Sequence, residues 1–201
     1  MDITLKPWTK GSADKYIDMM EHVDFTYEDE ELKCTDSSQA IRDIEEMTRN
    51  EDYNGDFYRA VLLDGKVVGH VQMVRQDGVW NCDGHVGCMI VREAWHRGVG
   101  TVAVRQMVEM AFTRRNINRL TARVYHPNRA SARVVEKNGF KHEVTLHSAV
   151  WKGDGIYYDV LVYGLLREDT GIPTTQCCEP EDGLTTEEQA ALEPTLVPSR
   201  I

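Results

Sequence analysis

The chain has 201 residues, a formal charge of −10 at neutral pH and an apolar fraction of 41%. That is long enough for one domain with a tail, or one large domain, built on a proper core. No apolar run approaches the roughly 20 residues that span a bilayer, the opening Met1-Asp2-Ile3-Thr4 does not read as a signal peptide, and no basic stripe offers itself to nucleic acid. A cytoplasmic protein with neither nucleic-acid nor membrane partners is expected. The five cysteines, Cys34, Cys82, Cys88, Cys177 and Cys178, show neither metal-ligand spacing nor a disulfide framework, so no metal site is expected.

In chain order, Ile3-Thr4-Leu5 reads as a first strand, and Ser12 is placed to cap a helix carrying Tyr16, Ile17 and Met20. A polar, acidic stretch follows. A second helix, capped by Asp36 or Ser37, carries Ala40, Ile41, Ile44 and Met47 on one face. Phe57 to Leu63 and Lys66 to Val74 read as a hairpin around Asp64-Gly65, a pair that favours a type I′ turn. Asp77-Gly78 offers another turn before a strand ending at Val91.

After that strand comes Trp95-His96-Arg97-Gly98-Val99-Gly100-Thr101, and then a helical stripe of Gly100, Ala103, Val104, Met107, Val108 and Ala111. A strand that turns through glycines into a helix start leaves backbone N–H groups unpaired at the positive end of the helix dipole, which suits phosphate. A plain tight turn is the alternative reading. There is no third glycine at dinucleotide-fold spacing and no Gly-Lys-Ser/Thr, so the Rossmann and Walker fingerprints both fail. Arg97 adds a fixed positive charge beside the glycines.

Asn118 to Tyr125 reads as the next strand. It is followed by a helix with Asn128 as N-cap and Asn138-Gly139 as its stop, with Phe140 starting another strand. A closing hairpin runs from His142 to Trp151 and from Gly155 to Leu165. The expected architecture is α/β: a mixed sheet of six or seven strands with helices on both faces. After Arg167 the composition turns acidic and proline-containing, so residues 1–167 are expected to form the domain and 168–201 a docked or flexible tail. Within that tail Thr185 and Glu188 fit a capping box.

With both blocks in view, the chain resembles the GNAT acetyltransferases. Arg97-Gly98-Val99-Gly100 is similar to their acetyl-coenzyme A loop. Asn128-x-x-Ser131 with Glu136-Lys137-x-Gly139-Phe140 is similar to their later block. Trp95 and the ending around Tyr158-Asp159 resemble the branch containing ribosomal-protein N-terminal and spermidine acetyltransferases. The resemblance covers about residues 2 to 167 and implies a GNAT-type fold whose central sheet is splayed. It also implies acetyl-CoA as cosubstrate and an amine-bearing small molecule or peptide as acceptor, handled by a monomer or homodimer.

By the same resemblance, the backbone from Arg97 to Thr101 (Gly98, Val99 and Gly100 between them) holds the pyrophosphate, backbone groups of Met89, Ile90 and Val91 contact the pantetheine arm, and Asn128 contacts that arm or the acceptor. Gly87 is expected to mark a bulge at the splay. Two catalytic candidates follow. His85 stands where this branch often has glutamate and titrates near neutrality, so it is the first candidate base; the alternative is a structural histidine at a strand start. Ser131 is the candidate proton relay, because Val135 stands where many relatives carry a tyrosine; the alternative is first-turn capping. Cys88 lies near the expected thioester but reads as a buried small hydrophobe. A degenerate acetyl-CoA-binding sensor or scaffold is the alternative function.

Overall fold

A computed structural model describes residues 1–25, 34–76, 78, 82–115, 117–151 and 155–173. Seven strands form one sheet: β1 (Ile3–Pro7), β2 (Phe57–Leu63), β3 (Lys66–Arg75), β4 (Asp83–Ile90), β5 (Arg119–Tyr125), β6 (Lys141–Trp151) and β7 (Tyr157–Leu166), in the order β1-β2-β3-β4-β5-β7-β6. Every neighbouring pair is antiparallel except β4 with β5. The helices are α1 (Ala13–His22), α2 (Ser37–Asn54), α3 (Val99–Arg114), α4 (Arg129–Lys137) and the single turn α5 (Arg167–Thr170).

The hairpin turn is as its dipeptide requires: Asp64 and Gly65 both have positive φ, 49° and 85°. Asp36 caps α2 by accepting from the Gln39 N–H at 2.9 Å. Ser12 does not cap α1. Its hydroxyl turns back to the preceding 3-10 turn, donating to the Thr9 carbonyl at 2.6 Å and accepting the Thr9 N–H at 3.0 Å. Of the expected loop signals, Asp77 lies outside the described residues, as do Thr185 and Glu188.

Alternation along the strands sorts the helices onto two faces. On the front face, the Trp8 indole reaches His70 of β3 and packs edge-on against Tyr16 of α1, with ring centres 5.0 Å apart. On the back face, Phe57 lies opposite Met73 and carries the Arg115 guanidinium from the end of α3 over its ring at 4.6 Å. The stripe read from the sequence buries α3 against this face: Val99, Ala103, Val104, Met107, Val108, Ala111 and Phe112 are all buried. Ala103, Met107, Ala111 and Phe112 are fully inaccessible to solvent, as are Val71 and Met73 beneath them. Each large side chain removed from water in this layer contributes about 1.5–3 kcal/mol.

α4 lies beside α3. Asn138 donates from its amide to the Thr101 carbonyl at 3.1 Å, and Val134 packs over Gly100. The described chain closes on α5. There Arg167 is buried, donating to the Ile117 carbonyl, and Asp169 pairs with Lys141 at 2.8 Å. Among the described residues no helix is long and apolar enough to cross a membrane.

Candidate functional site

The site is an opening between the two parallel strands. β4 and β5 pair over only three rungs, Asp83 with Arg119, Gly84 with Leu120 and His85 with Thr121. Both strands continue, β4 to Ile90 and β5 to Tyr125, without pairing again. With β7 held along the whole of β5 and β3 along the whole of β4, the two halves of the sheet diverge beyond His85.

The direction of each backbone group along this open edge follows from the antiparallel ladder with β3. Gln76 donates to the Asp83 carbonyl at 2.9 Å and Val91 donates to the Val68 carbonyl at 2.9 Å. Between these ends the register is unbroken, so odd-numbered residues of β4 spend their N–H and C=O on β3. Val86, Cys88 and Ile90 direct theirs toward the open edge. This revises two expectations. Met89 and Val91 do not offer backbone groups to the opening; of the three expected contacts only Ile90 does. Cys88 was missed because the parity of a ladder is set by the partner strand, which a local reading of β4 does not contain. Nor is Gly87 a bulge, since the ladder passes through Gly87 opposite Gln72 without a shift. The splay comes from β5 ending its pairing, not from β4 kinking.

At the wide end sits the start of α3. Gly98 is its N-cap with φ 78°, a conformation that side-chain-bearing residues rarely adopt, and its carbonyl accepts the first helical bond from Val102 at 3.1 Å. The N–H groups of Val99, Gly100 and Thr101 precede that bond and belong to the first-turn donors that the helix itself leaves unpaired. Arg97 is exposed beside them. The loop is tied to β4 by Trp95, whose indole donates to the Ile90 carbonyl at 2.7 Å and which carries the Arg92 guanidinium over its ring. At the same end, α4 starts where β5 stops. Asn128 accepts the Ser131 N–H at 3.1 Å, which makes it the N-cap that the sequence signalled. Ser131 itself is half-buried in that first turn. Val135 is buried in the core.

At the narrow end sits His85, half-buried on the front face. Burial pushes its pKa below the ordinary imidazole value, and the nearby Arg123 guanidinium pushes it the same way. The neutral ring, which can accept a proton, is therefore its form at neutral pH. Asp83, two rungs further in, accepts from the Thr121 hydroxyl at 3.0 Å; burial raises its pKa despite that bond and Arg119. His85 therefore lies on the last β4–β5 rung, and Ser131 in the first turn of α4 beyond the end of β5. The side chain of Cys88 points to the back face, where it packs against the core.

Missed altogether by sequence reading is a front-face chain of side chains next to His85. Trp8 donates to His70 Nδ1 at 2.8 Å, and His70 Nε2 meets Gln72 Oε1 at 3.1 Å. Trp8 and His70 are 62 residues apart, so no spacing rule connects them.

A mixed sheet that splits between its parallel strands, with a glycine-started helix at the wide end and a neutral histidine at the narrow one, is the frame of an acyl-transfer enzyme. The acetyltransferase (GNAT) domain model matches residues 2–141, and the chain belongs to the GNAT family of N-acetyltransferases. It is similar to the uncharacterized N-acetyltransferase p20 of Bacillus licheniformis, with 25% identity over 173 residues, 84% of this chain and 88% of p20. Among solved structures, the ribosomal-protein-S5-alanine acetyltransferase from Vibrio fischeri has the same fold. Its TM-score is 0.74 at 18% identity, covering 84% of this chain and 95% of that one. The spermidine N-acetyltransferase from Vibrio cholerae, solved with CoA and spermine, superposes with TM-score 0.67 at 17% identity, covering 83% and 96%.

Proposed function

We propose that this protein moves the acetyl group of acetyl-CoA directly to a primary amine, without an acyl-enzyme. The observation that carries the reading is the opening beyond the His85–Thr121 rung, which runs from a candidate base to the glycine-capped start of α3. The residues fit the cosubstrate. The first-turn N–H groups of α3, with Arg97, suit a pyrophosphate. The edge of β4 at Cys88 and Ile90, which is turned away from β3, suits an amide-bearing arm added to β4 as an extra strand. In this reading an N–H on that edge donates to the thioester oxygen as charge develops there. CoA in the Vibrio cholerae enzyme of the same fold supports this choice of cosubstrate.

His85 takes the proton that the amine must lose, directly or through a water, as the new C–N bond forms and the C–S bond breaks. Ser131 or solvent supplies the proton for the departing thiolate. Asn128 orients the α4 end of the site. The acceptor is a cationic small molecule or a peptide N-terminus, as in the spermidine and S5-alanine enzymes of the same fold. Acidic groups on the front helices favour a cation by attraction. The protein works in the cytoplasm as a monomer or homodimer.

The test is calorimetric titration with acetyl-CoA, with ATP and NAD as controls, followed by a coupled thiol-release assay over a panel of polyamines and unblocked peptides. Micromolar binding of acetyl-CoA alone, about −8 kcal/mol, with thiol release on addition of one amine class is the expected result. Binding without release from any amine would make the protein a sensor. No binding by a folded sample would overturn the reading.

A further inference from the structure

The buried chain Trp8–His70–Gln72 fixes the direction of one amide next to the candidate base. An indole N–H only donates, so His70 Nδ1, at 2.8 Å from it, must accept. The neutral ring then carries its proton on Nε2. His70 is 2% exposed, and burial holds its pKa down at about 4, so no second proton disturbs this tautomer at neutral pH. A protonated Nε2 donates, so the Gln72 atom 3.1 Å away must be the acceptor oxygen. Every step is forced by the donor-only indole at its start. The Gln72 NH2 group is left pointing the other way, along the front of the sheet.

What it points over is β4. Gln72 is the cross-strand partner of Gly87, and its Nε2 lies 3.4 Å from the position a Cβ on Gly87 would take. The Gln72 amide thus lies directly over the Gly87 backbone, at ordinary contact distance. Gln72 has two diagonal neighbours on this face, Met89 opposite His70 and His85 opposite Val74; with its oxygen turned to His70, the NH2 group faces the His85 side. Diagonal neighbours in an antiparallel pair are about 7–8 Å apart at the backbone, within joint reach of two long side chains and one water.

We propose that Gln72 is a positioning residue for the acetyl transfer: its NH2 group, aimed by His70 and Trp8, holds the water through which the acceptor amine passes its proton to His85. The water accepts from Gln72 Nε2 and from the amine N–H, and donates to the unprotonated nitrogen of His85. As the amine nitrogen bonds to the acetyl carbon, its proton moves to the water and a water proton moves to His85. Gln72 gains and loses nothing. The proposal rests on the reading of His85 as the base.

Two variants test it. Gln72→Met keeps the shape and removes the amide. Gln72→Glu keeps an acceptor for His70 and removes the donors. With acetyl-CoA as donor and spermidine or an alanine-starting hexapeptide as the probe amine, each variant should lower kcat by about ten- to a hundredfold. The Kd for acetyl-CoA should stay as in the wild type. A residue that merely packs would leave kcat unchanged in the Met variant, and a Glu variant with full kcat would show that no donor is needed. Either result overturns the proposal. A His70→Phe background should make the Gln72→Met loss smaller, because the amide there is no longer aimed.

A second readout needs no turnover. In NMR titrations of histidine-labelled protein, Gln72→Met should raise the His85 pKa. The neutral ring loses a donor, while Arg123 on β5 and the burial of the site remain. A His85 titration that does not move overturns the link between the two side chains, whether or not either probe is acetylated. Failure to bind acetyl-CoA would instead strike the functional reading and leave the NMR result standing.

Discussion

His85 and Thr121 form the last rung between β4 and β5, and the sheet parts immediately beyond them. A titratable side chain at that point stands where the chain's two halves begin to diverge, with protein on one side and the opening on the other. That position accounts for its lowered pKa, because the partial burial comes from the paired rungs and the added push from Arg123, two residues further along β5.

The pH profile follows with its sign. A base whose pKa lies below the ordinary 6.5 is unprotonated throughout neutral pH. The acid limb of kcat/KM should therefore fall below pH 6.5 rather than through it. Arg123→Gln removes one of the two causes, so the limb should move toward higher pH; burial, the larger cause, remains and limits the shift. His85→Ala should lower kcat by about a hundredfold or more and abolish the limb. An unmoved limb in His85→Ala would remove this residue from the proton path.

His70 gives a separate prediction, for stability. Its pKa is about 4 in the folded protein and about 6.5 in the unfolded chain, so the unfolded state binds the extra proton between those values. Stability from the neutral, hydrogen-bonded ring is fully present above pH 6.5, declines as pH falls below it, and is lost by about pH 4. The full loss is about 3 kcal/mol in order of magnitude. Urea midpoints of wild type and His70→Phe, compared from pH 7 to 4, should show a shallower acid decline in the variant. Parallel curves would mean that His70 takes up its proton as readily in the fold as in the unfolded chain, and would remove it as a source of the acid decline.

Much of this frame was legible because local rules decide it. The α3 stripe, the Asp64-Gly65 turn and the Asn128 cap each depend on residues within a turn or two, and each stands where the sequence placed it. What failed was non-local. Ser12 has the right chemistry for a cap, but a 3-10 turn just before it claims its hydroxyl. Which residues of β4 face the opening depends on the parity of the β3 ladder, so Met89 and Val91 were named and Cys88 was not. Trp8, His70 and Gln72 meet only because β1 leads into α1 over the face of β3, and no motif announces that contact.

Ser131 sits in the first turn of α4, its N–H already spent on Asn128, so its hydroxyl is the part available for chemistry. Ser131→Ala should slow thiol release several-fold while leaving both the helix cap and acetyl-CoA affinity intact. The readout is kcat against Kd, with the thiolate's own ability to leave into water setting a floor. An unchanged kcat would assign the proton to solvent and reduce Ser131 to a helix residue.

Gly98 offers the sharpest test of the loop. Its φ of 78° is available to glycine at no cost, whereas a non-glycine residue pays about 1–2 kcal/mol and a β-branched one more. No atom lies within 4 Å of where its Cβ would be, so a larger side chain meets no protein wall. Gly98→Val should therefore leave a folded domain, somewhat less stable, whose α3 start is reshaped or screened by the isopropyl group. Calorimetry should show acetyl-CoA binding lost, with the circular-dichroism spectrum retained. Gly98→Ala, with the same backbone penalty in milder form and less bulk, should bind with intermediate affinity. Wild-type affinity in the folded Val variant would mean that the phosphates do not approach this helix start.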